Sequence, residues 1–347
     1  MKEKTTRYEK KDNKMSKWII IASLFALSVV LIFGIFTIVQ LKNAFDKSSV
    51  DLVREGDKSE LRDEAVILSD DPISILLLGI EDYSSESENS RADTQLLVTL
   101  NPSTHEMTMV TIPRDTRVHI ENAGDFTGIH KINSAYTYGQ ITGYGASKLQ
   151  IETIEKLLNI PIDYFIAVKF DGFRDIVNAL DGVDIDVKEA FWEENFYDKT
   201  RIDFKKGLTH LNGEEALAFV RMRERPVNSI YSRDERQRQF LEVIITQAVS
   251  AKTLFTIGEI SDILGDNVQT DFQVKDLYAL QKQYVQLNNL SIRTLEIEGS
   301  NQYVGKSAFY LPEKNSLEEV SQKLRNILAL EEVENFETNA AFVNEGS

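Results

Sequence analysis

The chain has 347 residues, no cysteine and a formal net charge of -16. That length suits one core of about 200–250 residues with appendages. Disulfide and thiolate chemistry are excluded, although both an extracytoplasmic and a cytosolic setting stay open. The surplus of carboxylates argues against general nucleic-acid binding, which needs a basic face against the phosphates, and leaves room only for a local basic pocket.

Residues 1–17 hold seven Lys/Arg against three Asp/Glu and read as a basic cytoplasmic tail. Residues 18–41 carry no charged side chain, and this Leu/Ile/Val/Phe-rich run matches the roughly 20 residues that cross hydrocarbon as a helix. A single transmembrane signal-anchor helix is expected there, with the remainder of the chain outside the cell membrane in a single-pass type II arrangement. Residues 42–71 are mixed in charge and poor in aromatics, the pattern of a juxtamembrane stalk.

The folded core is expected over residues 72–251. It opens with Ile73-Ser-Ile-Leu-Leu-Leu-Gly79, whose unbroken apolar character predicts an interior strand covered on both faces. Two further apolar runs, Thr94–Leu100 and Glu106–Ile112, flank Asn-Pro-Ser-Thr-His, a turn because Pro102 would disrupt a central ladder. This strand-turn-strand puts Arg91 and Asp93 at its entrance and Arg114 and Asp115 at its exit, and antiparallel pairing brings those ends together. A core rarely needs both signs of charge in one place. An anionic ligand, a divalent metal or both would explain the quartet; a surface ion-pair network is the alternative.

Downstream, Lys131 is placed to reach an anion and Asn133 to cap a helix. Helices over residues 143–158 and 170–180 alternate with strands Tyr164–Lys169 and Val183–Val187, which points to an α/β domain with helices on its sheet faces. The aromatic segment Glu189–Lys206 reads as a lid or groove wall, or as plain packing. Asn212-Gly-Glu-Glu215 is a capping-box signature that starts a helix with Arg221, Arg223 and Arg225 at its end. Ser232-x-x-Glu235 starts a longer helix to about Val249.

On that helix Arg233 and Arg236 share a face near the N-terminus, where cations oppose the helix dipole. Asp234 and Glu235 could relieve the conflict locally, or the arginines could converge on a phosphate or pyrophosphate, which suits the guanidinium fork. Residues 252–330 form the C-terminal part of the domain, with helices at Phe255–Leu264, Val274–Val285 and Ser316–Leu330 and a returning strand at Ser291–Ile297. Residues 331–347, with five acidic groups and no Lys or Arg, read as a flexible tail.

The chain has no P-loop, no G-x-S-x-G elbow and no H-E-x-x-H, and its four histidines lack paired metal-ligand spacing. What remains favours carboxylate-bound Mg²⁺ or Mn²⁺ working with arginines on a phosphorylated substrate.

The ordered motifs I-L-L-L-G, R-A-D-T, I-P-R-D-T, K-I-N-S-A, D-G-V-x-I-D-V, L-N-G-E-E-A-L-x-F-V-R-M-R and Y-S-R-D-E-R-Q-R-Q resemble the LytR-CpsA-Psr family of cell-envelope proteins over about Ile73 to Ala251. The resemblance implies an α/β/α sandwich with a central mixed sheet. It also implies a Gram-positive, extracytoplasmic phosphotransferase that moves a glycopolymer, teichoic acid or capsule polysaccharide, from an undecaprenyl-pyrophosphate carrier to peptidoglycan. Carried over by motif, Asp93 and Asp115 are the metal-side candidates. Arg91, Arg114, Arg221, Arg223, Arg233 and Arg236 are the pyrophosphate-side candidates, and Lys131 and Gln237 stand at family-like substrate-binding positions. A non-enzymatic regulator or scaffold that binds lipid-linked intermediates is the alternative. Two departures stand out: Gly79-Ile80-Glu81 where the family has G-x-D, and Ile230-Tyr231-Ser232 where an Asp commonly precedes the arginine.

Overall fold

The computed structural model describes residues 48–81, 90–248, 267–273, 275–276, 279–280 and 291–343. Strands β1 (Ile73–Glu81), β2 (Arg91–Asn101) and β3 (Glu106–Thr111) form an antiparallel meander. Its β2–β3 turn is held by Asn101, whose side-chain oxygen accepts the N–H groups of Ser103 and Thr104 at 2.9 and 3.2 Å. A small hairpin of β4 (Arg117–Ile120) and β5 (Gly128–Lys131) follows, then helices α1 (Ser134–Thr142) and α2 (Ala146–Leu158). β6 (Tyr164–Lys169) returns parallel to β1 and leads straight into α3 (Phe170–Ala179).

Two two-stranded ladders come next. β7 (Val183–Val187) pairs with β10 (Gly207–Leu211), and β8 (Phe191–Glu194) pairs with β9 (Arg201–Phe204). α4 (Gly213–Arg221) starts on a complete capping box: the Asn212 side chain accepts from Glu214 and Glu215 N–H, and Glu215 reaches back to the Asn212 N–H. α5 (Arg233–Ala248) has Ser232 Oγ accepting the Glu235 N–H at 3.1 Å, as the sequence signature predicts. β11 (Val268–Thr270) and β12 (Ser291–Leu295) complete the central sheet, and β13 (Gly299–Val304), β14 (Ser307–Pro312) and α6 (Lys314–Ile327) close the domain.

The central sheet runs β11-β6-β1-β2-β3-β12 and is mixed, because β6 lies parallel to β1 and β12 parallel to β3, while the other pairs are antiparallel. The unbroken apolar run of β1 is explained by burial on both faces. Leu76 and Leu78 face a core shared with Leu149, Leu157 and Leu317 from α2 and α6, while Ile73 and Ile75 face Leu96, Met109 and Phe272. A third cluster joins β7, β8 and α4 around Phe219 and Tyr231.

The expectation of a preceding membrane helix requires correction, and with it the signal-anchor, single-pass topology. Residues 18–41 lie outside the described residues, and among the described residues no helix is long and apolar enough to cross a membrane. The longest described helix, α5, has 16 residues and is rich in charge, and at 1.5 Å per residue its length of about 24 Å falls short of about 30 Å of hydrocarbon. The fold is accordingly an α/β domain with a central mixed sheet flanked by helices.

Two segments read as appendages are packed instead. In the expected stalk, Leu52 is buried, Ser59 donates to Glu155 at 2.6 Å, and Arg62 grips Asp163 through two hydrogen bonds of 2.9 and 2.7 Å. In the expected tail, the His119 N–H donates to the Asn339 carbonyl at 2.8 Å and Ala341 donates to the Arg117 carbonyl at 3.0 Å, so residues 339–341 run along β4. The expected helix Phe255–Leu264 and most of Val274–Val285 lie outside the described residues.

Candidate active site

The site begins with a defect in strand pairing. Along β1 and β2 the register passes from Gly79↔Thr94 to Ile80↔Ala92, so Asp93 is an extra residue bulged out between them. A bulge re-aims the side chain it carries. Gly79 permits the close approach: a Cβ there would stand 2.9 Å from Thr94 Cβ. The result is a carboxylate 4 % exposed at the end of the two most buried strands.

Around it charged side chains form an unbroken chain, with two carboxyl groups side by side at its middle. Arg221 donates to Glu81 at 2.6 Å, and Glu81 is hydrogen-bonded to Asp93. Asp93 accepts one bond from Arg114 and another from the Asn133 amide at 2.9 Å. Arg114 also faces Asp115 at 3.7 Å, and Asp115 pairs with Lys131 at 2.8 Å. Burial pushes the Asp93 carboxyl up, but the Glu81 hydrogen bond, the Arg114 charge, the Asn133 amide and the Arg233 charge outweigh it and hold the group below its ordinary value. Asp93 is therefore anionic at neutral pH.

The predicted residues separate on this geometry. A cleft of about 450 Å³ is lined by Asp93, Arg114, Asp115, Arg223, Arg233 and Gln237, among others. Arg233 is braced there by donating to the Asp93 carbonyl at 3.0 Å, and Gln237 by donating to Thr94 Oγ1 at 3.1 Å. Arg221 stands behind the cleft on Glu81, its guanidinium packed over Phe196 at 4.3 Å and Phe170 at 4.8 Å. This gives the aromatic segment a definite role: Phe196 shapes the seat of Arg221.

Two expectations are corrected. Arg236 is fully buried and spends its guanidinium on the carbonyls of Phe219, Tyr231 and Met222, so it fastens α5 to the end of α4 and does not line the cleft. Arg91 is exposed at the start of β2, paired across the ladder with Glu81, and is absent from the cleft lining. Asn133 occupies the helix N-cap position without a side-chain cap bond, and its amide NH2 donates to Asp93. Sequence reasoning also missed the C-terminal contribution, in which Glu296, Asn301 and Tyr310 form a wall of the cleft. No local signal marks those residues.

For a cation, the fitting pair is Glu81 with Asp93. Two hydrogen-bonded carboxyl groups, 6 % and 4 % exposed, need a shared proton or a cation between them. A small hard divalent ion held by one or two carboxylates plus substrate phosphates meets that need. Asp115 stands apart with Lys131, and among the described residues no group of three or more His, Cys, Asp or Glu side chains could hold a metal. The Glu81 departure thus keeps a carboxylate beside Asp93.

Comparison with known proteins agrees with this picture. The chain is 40% identical over 311 residues to the polyisoprenyl-teichoic acid–peptidoglycan teichoic acid transferase TagV of Bacillus subtilis (strain 168), covering 88% of this chain and 77% of that protein. It is 31% identical over 326 residues to the transferase TagU of Oceanobacillus iheyensis, covering 93% and 98%. Among solved structures, B. subtilis TagV superposes with a TM-score of 0.64 at 39% identity, over 76% of this chain and 99% of that one. The LytR-CPS2A-psr family protein YwtF (TagT) with bound octaprenyl pyrophosphate lipid superposes with a TM-score of 0.62 at 28% identity, over 81% and 100%. The LytR_cpsA_psr family matches residues 35–326, and the chain belongs to that family.

Proposed function

We infer that this protein is a transferase that moves a teichoic-acid-type glycopolymer from a polyprenyl pyrophosphate to peptidoglycan, as its relatives TagV and TagU are named to do. The observation that carries the reading is the cleft lined by Arg114, Arg223 and Arg233, in which Arg114 and Arg233 act on the buried anion Asp93. Such a place is built to hold a diphosphate against fixed positive charge.

In the reaction a sugar hydroxyl of the acceptor attacks the phosphorus that bears the glycopolymer. The new O–P bond makes a phosphodiester, and the P–O bond to polyprenyl phosphate breaks. Arg114 and Arg233 face the oxygens on which charge accumulates; Arg233 is fixed on β2 backbone, so it needs little reorganisation. Asp115, partly exposed and oriented by Lys131, is the carboxylate placed to take the hydroxyl proton. Glu81 and Asp93 are the residues that would hold Mg²⁺ or Mn²⁺, which when bound supplies Lewis-acid charge to the diphosphate.

The test is transfer by the full-length protein from a lipid-linked teichoic-acid precursor to peptidoglycan, read as labelled wall and released polyprenyl phosphate. Asp93→Asn and Arg233→Ala should each lower the rate about 100-fold, the scale of losing one preorganised charge contact. Undiminished labelling by both variants would remove this site. Tight donor binding with no turnover on any acceptor would make the protein a scaffold instead.

A further inference from the structure

The hairpin β13–β14 projects beside the cleft with its two faces treated differently. Its back face is held: Arg117 on β4 lies over the Phe309 ring at 5.8 Å. At its base the Tyr310 N–H donates to the Asp115 carbonyl at 2.8 Å and the Tyr310 hydroxyl to the Ile297 carbonyl at 2.7 Å. The Tyr310 ring is folded back across Gly299, where a Cβ would stand 2.8 Å from ring atoms. That ring is committed to the base.

The front face is open. The register pairs Asn301 with Tyr310 and Tyr303 with Ala308, and alternation along β13 puts Asn301 and Tyr303 on the same side. Asn301 and Tyr310 line the cleft, so Tyr303 continues their wall outward, about 7 Å further along the strand. It is 80 % exposed, the highest value among the exposed large hydrophobics described, and it stands opposite the small Ala308. An aromatic ring left in water beside a cleft, with a polar amide on its inner side and no bulk opposite it, is a platform for a flat, partly apolar ring that also hydrogen-bonds.

We propose that the front face of β13–β14 is a subsite for the acceptor glycan, in which Tyr303 stacks on the sugar ring next to the one whose hydroxyl reacts. The inference rests on the transferase reading above. The acceptor, rather than the donor's own sugars, is assigned to this face because the hairpin is bonded directly to Asp115, the carboxylate that receives the acceptor proton, whereas the cleft's arginines hold the diphosphate. Asn301 offers an amide to the reacting sugar, and Tyr303 fixes the direction in which the strand leaves.

The experiment uses the full-length protein and soluble peptidoglycan fragments of one or two disaccharides, first without donor, by NMR titration, and then with lipid-linked donor in a transfer assay. Tyr303→Ala should raise the acceptor KM about tenfold for the longer fragment, with donor KM and kcat little changed, because stacking of one ring is worth about that much. Tyr303→Phe should restore the acceptor KM. An acceptor KM unaffected by Tyr303→Ala while transfer proceeds overturns the subsite and leaves the transferase reading intact. A rise in donor KM instead assigns the ring to the donor and also overturns it. Fragment binding that depends on Tyr303 in a protein that transfers nothing supports the subsite and overturns the transferase reading.

Discussion

Asp93 in the cleft and Glu155 on α2 are both nearly sealed from water, 4 % and 8 % exposed, yet their carboxyl groups move in opposite directions. At Glu155 burial prevails and pushes the carboxyl up, because its opponents are a single guanidinium, Arg54 at 3.4 Å, the Ser59 hydroxyl and the Ile162 N–H. At Asp93 the same penalty is overcome by Glu81, Arg114, Asn133 and Arg233. Depth therefore does not decide whether a buried acid keeps its charge; the number of cations and donors turned toward it does. The seam that ties residues 54–62 to α2 raises the carboxyl it buries, whereas the cleft favours the anion.

The contrast is broken most forcefully by Arg114→Ala. It strips Asp93 of its main guanidinium, and transfer should fall about 100- to 1,000-fold while unfolding becomes easier by about 3 kcal/mol, the scale of a buried charge left without its partner. Denaturant titration across pH checks the cause. The stabilisation from a lowered carboxyl is present above its unfolded value of 3.8 and lost as pH falls through the folded value. The deficit of the variant should therefore be full at pH 7 and shrink in acid.

Gly79→Ala is a smaller perturbation of the same centre. Its methyl meets Thr94, to which Gln237 donates, so the bulge must shift. A cost of about 1–3 kcal/mol is expected from overpacking, with a loss of transfer per folded molecule that a mere stability defect would not produce. Equal specific activity after correction for the folded fraction would show that the bulge does not aim Asp93.

The smallest effect is expected at the other carboxylate. A group whose folded value is raised gives stability that is full below its unfolded value, 4.5, and disappears as pH rises through the folded one. Wild type should therefore gain melting temperature relative to Glu155→Gln as pH is lowered from 7 toward 4.5. Parallel melting curves for the two proteins would refute the raised value.

How far the sequence discloses this arrangement depends on the range of the interactions. β6 and β7, the capping box of α4 and the meeting of Asp93 with Arg114 all follow from patterns a few residues long or from one antiparallel turn, and each appears in the structure. Arg233 and Arg236 show the limit. They are three residues apart on one helix, and nothing in the spacing reveals that one opens to the cleft while the other meets three carbonyls from α4 and the turn after it. The bulge at Asp93 needs the partner's register, and the hairpin wall needs β12 to return beside β3 from far along the chain. Arg54 and Arg62 likewise reach partners about a hundred residues away. A charge-rich stretch with few apolar residues looks detached until those partners are known.

The chain of contacts from Arg221 through Glu81, Asp93, Arg114 and Asp115 to Lys131 has a consequence for ionic strength. Arg114, the cation of that chain that lines the cleft, already faces carboxylates, so an arriving diphosphate does not meet a bare positive field there. Few mobile counter-ions are displaced from it on binding. Donor affinity accordingly falls only gently as salt is added, much less than a count of nearby arginines implies.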